Sequence, residues 1–368
     1  VNKNRPTLRL LLLPLIAALA LAATGCGEKT EPTTPDDVRP DKINLMLDWT
    51  PNANHAGIYT GMADGSFTNR ALVVDPKIPA DGAGVIQQVE AGHVDLGITY
   101  PSYLLQARAK GAKVKAIAAL VNKPLNSLIW LKKSGIKNIE GLEGKTVAVS
   151  GDDNSSTLNT ILVSHHVEPK SVKQVNVGYK LQQILVAGKA DASITGYWNV
   201  EGVTLKAAGL KPVITPVDKA GSPTYPELVI IANENNLEDG RRVETYRRFI
   251  GGLQEGTKNA VENPQTAFDA IEKKFPDFGS TARDEKLNMA SLRVTLPVLA
   301  QTNIGDNPFG WLDPDTWDNY AEWMFEHGEL PSNATGFDKA ITNSLLPGEV
   351  PGAGVAETSD DDTGSVNR

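Results

Sequence analysis

The run Leu47-Asp48-Trp49-Thr50-Pro51-Asn52-Ala53-Asn54-His55-Ala56-Gly57-Ile58-Tyr59 concentrates recognition groups. Ile43 to Leu47 is a short apolar run that fits a buried strand, and Pro51 cannot continue a sheet ladder, so the chain must turn there. Asn52 or Asn54 can cap a helix that begins near His55. An indole, two carboxamides and an imidazole then stand at the carboxyl end of a strand, where open α/β sheets hold their ligands. Alone, the same residues also fit a packed indole, two capping amides and a first-turn histidine on a solvated face. Other chemistry finds less support. No Gly-x-Ser-x-Gly, Walker-type or zincin pattern occurs. The single cysteine, Cys26, can form no intramolecular disulfide. A metal site built from His55, His165 and Asp152 is conceivable, but the adjacent His165 and His166 would point about 100° apart on a helix and could not easily share an ion. No metal and no cofactor is expected.

The elements that must position these groups alternate as in an α/β protein. Candidate strands, besides the run into Leu47, are Ala71–Val74, Val94–Thr99, Val114–Leu120, Ser127–Leu131, Thr146–Ser150, Gln174–Val177, Ala192–Thr195, Pro212–Pro216 and Leu228–Ala232. Beyond Asn235 the pattern becomes helical, over Glu238–Glu262, Pro264–Lys274, Ala282–Thr295 and Pro314–His327. A weak repeat links the two halves. Glu90-Ala91-Gly92-His93-Val94-Asp95-Leu96-Gly97-Ile98-Thr99-Tyr100 returns in outline as Val186-Ala187-Gly188-Lys189-Ala190-Asp191-Ala192-Ser193-Ile194-Thr195-Gly196-Tyr197. In each copy a glycine supplies a left-handed helix end, an aspartate opens a strand and a tyrosine stands where that strand stops. Two similar lobes with a cleft between their strand ends are implied. Trp317, Tyr320, Trp323 and Met324 share one helical stripe and read as core, whereas Trp311 before them can reach the cleft.

Lys3, Arg5 and Arg9 lead into Leu10 to Ala22, an apolar run of about a dozen residues that suits an export signal and is short of the ~20 a membrane helix needs. Leu21-Ala22-Ala23-Thr24-Gly25-Cys26 resembles the lipobox of bacterial lipoproteins, with Ala23 where leucine is usual. That resemblance implies cleavage after residue 25 and lipid attachment at Cys26, whose acyl chains would hold the protein on a membrane at about 0.8 kcal/mol per buried methylene. Residues 26–40 read as a flexible tether and 347–368 as a disordered acidic tail. The net charge of −8 offers no basic footprint, so nucleic acid is not an expected partner.

From about Asp41 to Leu330 the chain resembles the thiamine-precursor and sulfonate-type substrate-binding proteins of bacterial ABC importers. The resemblance rests on Leu47-Asp48-Trp49-Thr50-Pro51-Asn52 with His55 and Gly57, on Ala91-Gly92-x-x-Asp95, on Gly141-Leu142-Glu143-Gly144-Lys145, and on Trp311 with Trp317, Tyr320, Trp323 and Met324. The first and last resemble the branch that binds pyrimidine precursors of thiamine, which also holds a fungal pyrimidine-forming enzyme. It implies an α/β, two-lobed periplasmic-binding-protein fold of type II, with two mixed sheets, flanking helices and a helical C-terminal segment. Lobe 1 would comprise residues 41–121 and 225–330, and lobe 2 residues 122–224. It further implies that Trp49, Asn52, His55 and Tyr100 face Tyr197, Trp198 and Asn199 across the cleft, stacking a planar heteroaromatic guest. Glu201, three residues beyond Trp198, suits an exocyclic amine, or equally serves its helix dipole. Two features depart from the pyrimidine branch. Thr99-Tyr100-Pro101-Ser102 replaces Ser-Tyr-Gln-Glu, removing two polar contacts. The loop Gly151-Asp152-Asp153-Asn154-Ser155-Ser156-Thr157 replaces Gly-Ser-Pro and acids. Asn154 joins the ligand-binding candidates, while Asp152 and Asp153 either repel an anion, which argues against a sulfonate, or equally are plain helix-capping acids.

The expected protein is thus a monomeric, lipid-anchored, extracytoplasmic solute-binding protein. Its partners would be a small heteroaromatic ligand, most simply a thiamine pyrimidine precursor, and an ABC permease with its ATPase. It would catalyse nothing. A riboflavin-like solute, a pyrimidine-metabolising enzyme and an accessory lipoprotein with a collapsed cleft are the rivals.

Overall fold

A computed structural model describes residues 39–80, 84–150, 152–177, 181–300 and 307–347. Cys26, the leader, nearly all of the tether and residues 348–368 of the tail lie outside the described residues. Strands and helices alternate from β1 (Asp41–Met46) through α1 (Ala56–Ala63), β2 (Leu72–Lys77), α2 (Gly84–Glu90), β3 (Leu96–Thr99) and α3 (Pro101–Ala109) to β4 (Val114–Val121). A second set follows: β5 (Asn126–Leu131), β6 (Thr146–Val149), α4 (Asp152–Ser164), β7 (Lys173–Asn176), α5 (Leu181–Val186), β8 (Ala192–Tyr197), α6 (Glu201–Ala207) and β9 (Pro212–Pro216). The chain then returns through β10 (Leu228–Asn233) and ends in α7 (Gly240–Glu262), α8 (Pro264–Lys274), α9 (Ala282–Ala300) and α10 (Pro314–Glu326).

The strands form two five-stranded mixed sheets, ordered β2-β1-β3-β10-β4 and β7-β6-β8-β5-β9. In each, four strands run in one direction and the fifth, arriving from the other half, is antiparallel to both neighbours. Two sheets of identical order, each receiving one strand from the other half, make the two-lobed fold expected from the sequence.

The repeat has a physical basis. β3 and β8 are the central parallel strands of their sheets, and Gly92 (φ 72°) and Gly188 (φ 65°) supply the left-handed turns before them. Asp95 accepts a hydrogen bond from Asn44 N at 2.8 Å and its own N–H donates to Asn44 O at 2.9 Å. Asp191 repeats this with Thr146, at 2.9 and 2.8 Å. The aspartate therefore closes the start of the ladder, which fixes the register that brings Tyr100 and Tyr197 to the strand ends.

Two elements run longer than their local signals suggested. β2 continues through Pro76 because it is an edge strand, where a missing N–H faces no partner. α9 continues past Pro297 to Ala300, because the burial of Leu296, Val298 and Leu299 offsets the one lost backbone bond. α7 buries Tyr246, Phe249, Ile250 and Leu253 on one face and packs on α1. There the helices meet at glycines: a Cβ on Gly256 would stand 2.4 Å from Gly57 O, and one on Gly57 would stand 2.1 Å from Thr257 Oγ1. This close approach anchors α1 and the turn before it. Trp317, Tyr320, Trp323 and Met324 are buried, as their stripe predicted. Among the described residues no helix is long and apolar enough to cross a membrane.

Candidate ligand-binding site

A cavity of about 410 Å³ opens between the lobes, within the usual range for small-molecule sites. Its walls are the carboxyl ends of parallel strands from both sheets. β1 delivers Asp48, Trp49 and Asn52; β3 delivers Tyr100, Ser102 and Tyr103; β6 and α4 deliver Ser150 and Thr157; β8 delivers Thr195, Tyr197 and Glu201. Asn126 and Glu227 come from the two crossings between lobes, and Phe275, Asp277, Phe278, Asn288 and Tyr320 from the helical closing segment. Tyr100 and Tyr103 meet edge to face at 5.3 Å, and Tyr225 stacks on Tyr320 at 4.4 Å, so the aromatic walls are braced in place.

The turn after β1 is built by local hydrogen bonds. Asn52 Oδ1 accepts from Asn54 N at 2.9 Å, and Asn52 N donates to His55 Nδ1 at 3.1 Å, a reciprocal cap on the short turn Ala53–His55. His55 Nε2 meets Asp48 Oδ1 at 2.8 Å, and Tyr100 Oη donates to Asp48 Oδ2 at 3.2 Å. Beyond Asp48, the Tyr100 and Tyr197 hydroxyls and the carboxyl of Glu227 lie near enough to influence one another's ionisation. Glu227 in turn accepts from Leu125 N at 2.7 Å and Asn126 N at 3.0 Å, tying the two crossings together.

Burial dominates the ionisation of these groups. Glu227 is pushed up to about 7 by loss of solvent, opposed by its backbone donors and reinforced by the nearby charge of Asp48. Glu201 is also raised by burial, although its Oε2 accepts from Tyr197 N at 2.8 Å. Tyr100 and Tyr197 are raised well above the usual phenol value, first by burial and then by the neighbouring carboxylates. Among the described residues that line the cavity none is lysine, arginine or histidine. The arrangement can stack a flat ring and accept hydrogen bonds from its edge; it offers an anion no counter-charge.

The structure brings Trp49, Asn52, Tyr100, Tyr197 and Glu201 of the expected set to one cavity. Three others do not line it. His55 is fully buried behind Asp48 with both ring nitrogens engaged, so it supports the wall without forming it. Trp198 turns away, its Nε1 donating to Pro124 O at 3.2 Å. Asn199 is fully buried and joins the halves, donating to Asn54 Oδ1 and Thr295 Oγ1 at 2.8 Å each, while its carbonyl accepts from Ser291 Oγ at 2.7 Å. The Asn154 side chain lies outside the described residues. Trp311 packs into the core and does not reach the cavity. Ser102, read as a lost polar contact, lines it. Asp48, Tyr103, Asn126, Tyr225, Glu227 and the Phe275–Asn288 group were missed. For Glu227 a signal existed, since Tyr225-Pro226-Glu227 sets an acid directly against the uncharged strand Leu228–Ala232. The Phe275–Asn288 group gave none.

The NMT1/THI5-like family model matches residues 52–267. A putative thiamine biosynthesis protein of Haemophilus influenzae is 32% identical over 79% of this chain and 88% of its own. The formylaminopyrimidine-binding protein of Halalkalibacterium halodurans is 30% identical over 86% and 94%. At 24% identity, a protein of Legionella pneumophila named 4-amino-5-hydroxymethyl-2-methylpyrimidine phosphate synthase matches over 83% and 92%. The periplasmic aliphatic sulphonate binding protein of Escherichia coli superposes with a TM-score of 0.62 at 12% identity, covering 82% of this chain and 92% of that one, and so shares the fold. Matched over more than half its length by one family model, and aligned over most of it with two relatives at 30% identity or above, the chain belongs to the NMT1/THI5-like family.

Proposed function

We propose that the protein is the solute-binding component of an ABC importer and that it captures an aminopyrimidine precursor of thiamine between its lobes. The observation that carries this reading is the cavity itself: aromatic residues from both lobes line it, and carboxylates and carboxamides on its walls can read the edge of a flat heterocycle. The names of the pyrimidine-related relatives support the substrate class. In this reading lobe 1 is 41–121 with 225–330 and lobe 2 is 122–224. The ligand bridges them, biases the crossings at Asn126 and Glu227 toward closure, and the closed monomer docks on a permease driven by an ATPase. Export and lipid attachment at Cys26 would place it outside the cytoplasm on the membrane. In this reading the protein binds its solute and releases it unchanged.

Calorimetry with 4-amino-5-hydroxymethyl-2-methylpyrimidine tests it, with a dissociation constant near or below micromolar expected, about −8 kcal/mol. Trp49→Ala is expected to weaken binding at least tenfold, since a stacked ring contributes ~0.5–1.5 kcal/mol beyond the area it buries. No binding, together with no pyrimidine released from the natively purified protein by mass spectrometry, overturns the reading. Unchanged affinity in Trp49→Ala removes that residue from the site.

A further inference from the structure

We propose that the solute is a cation, a heteroaromatic ring bearing a protonated amine, held against the carboxylates of Asp48, Glu201 and Glu227. This rests on the reading of the interlobe cavity as the solute site and adds the sign of the ligand's charge.

The argument turns on what each carboxylate is bonded to. Asp48 contacts a histidine, which looks like an ion pair. Yet His55 Nδ1 accepts the Asn52 N–H, so that nitrogen carries no proton. The ring is then the neutral tautomer with its one proton on Nε2, donated to Asp48. The second donor to Asp48, the Tyr100 hydroxyl, is neutral as well. Glu227 is held by two backbone N–H groups, and Glu201 by the backbone N–H of Tyr197. Among the described residues none of the three forms an ion pair with a lysine or arginine. Three carboxylates on one cavity are thus hydrogen-bonded but not charge-balanced, and like charges sharing a site disfavour one another. A cation entering the cavity relieves that repulsion, and the aromatic lining of Trp49, Tyr100 and Tyr197 is compatible with positive charge. A sulfonate or phosphate meets repulsion at every carboxylate.

The titratable groups facing Glu227 among the described residues are Asp48 after β1, Tyr100 after β3 and Tyr197 at the end of β8. All are anionic or neutral. A bound cation therefore favours the ionised form of Glu227, and affinity for a permanently protonated amine rises as pH passes upward through about 7.

Three probes of different charge decide the matter, the alcohol and the amine being close in size: 4-amino-2-methylpyrimidines carrying hydroxymethyl, aminomethyl or phosphoryloxymethyl at C5, titrated into the full chain by calorimetry at pH 6 and pH 8. The aminomethyl compound is expected to bind at least tenfold more tightly than the alcohol, the phosphate at least tenfold more weakly, and the amine's advantage to be larger at pH 8. Glu227→Gln, which keeps the acceptor for Leu125 and Asn126, should shrink that advantage and flatten its pH dependence. A phosphate that binds as well as the alcohol, or an amine that binds no better, overturns the charge inference while leaving the pyrimidine reading intact. Failure of all three to bind overturns both.

Discussion

Glu227→Gln should stabilise the ligand-free protein in a pH-dependent way. The carboxyl is 4% exposed and its proton affinity is raised from the ordinary 4.5 to about 7. That is about two and a half powers of ten, at about 1.4 kcal/mol each, so ionising the carboxyl costs roughly 3 kcal/mol more in the folded protein than in the unfolded chain. The folded protein binds this proton more tightly than the unfolded chain does. The stabilisation it gives is therefore fully present below pH 4.5 and is lost as pH rises to about 7, above which the wild type carries a buried charge. Glutamine retains an oxygen for Leu125 N and Asn126 N but no titratable proton. The variant should match the wild type near pH 4.5 and exceed it by about 2–3 kcal/mol at pH 8, after allowance for water in the adjoining cavity. In thermal unfolding this is an increase of roughly 5 °C at pH 8. Urea titrations at fixed ionic strength across pH 4.5 to 8.5 measure it directly. A difference between variant and wild type that stays constant over that range would refute the assignment of Glu227 as a buried, unbalanced carboxyl.

Two further substitutions test the frame around the site. Gly256→Ala places a methyl 2.4 Å from Gly57 O and 2.7 Å from the Gly61 backbone, neither of which can rotate away, so about 1–3 kcal/mol should be lost and the melting temperature should fall by several degrees; an unchanged melting temperature refutes the close packing of α1 on α7. Asn199→Ala leaves the buried Asn54 Oδ1 without its donor, for a loss of about 1–3 kcal/mol in unfolding free energy that lowers the urea midpoint, and an unmoved midpoint would mean that this contact between the halves contributes nothing.

The sequence by itself determined the elements and their division into two similar halves. Alternating apolar runs gave the strands; the glycine and aspartate of the repeat close the central strand of each sheet; and Tyr100 and Tyr197 follow at the strand ends, where ligands sit. Trp49 and Asn52 were legible for the same reason, since Pro51 forces the turn that puts them beyond β1. These are consequences of backbone geometry over short spans. Tertiary structure alone decided which polar groups face the cavity and which are spent behind it. His55 and Asn199 belong to recognition-rich runs, but their hydrogen bonds are consumed by Asp48 and Asn52 in one case and by Asn54 and Thr295 in the other. Glu227 acquires its character from Leu125, Asn126 and Tyr197, at separations of 102, 101 and 30 positions, and Asp277 and Asn288 reach the wall only because the closing helices fold back over the cleft. Burial and the sign of the local field are sums over groups distant in the chain, and no local spacing encodes them.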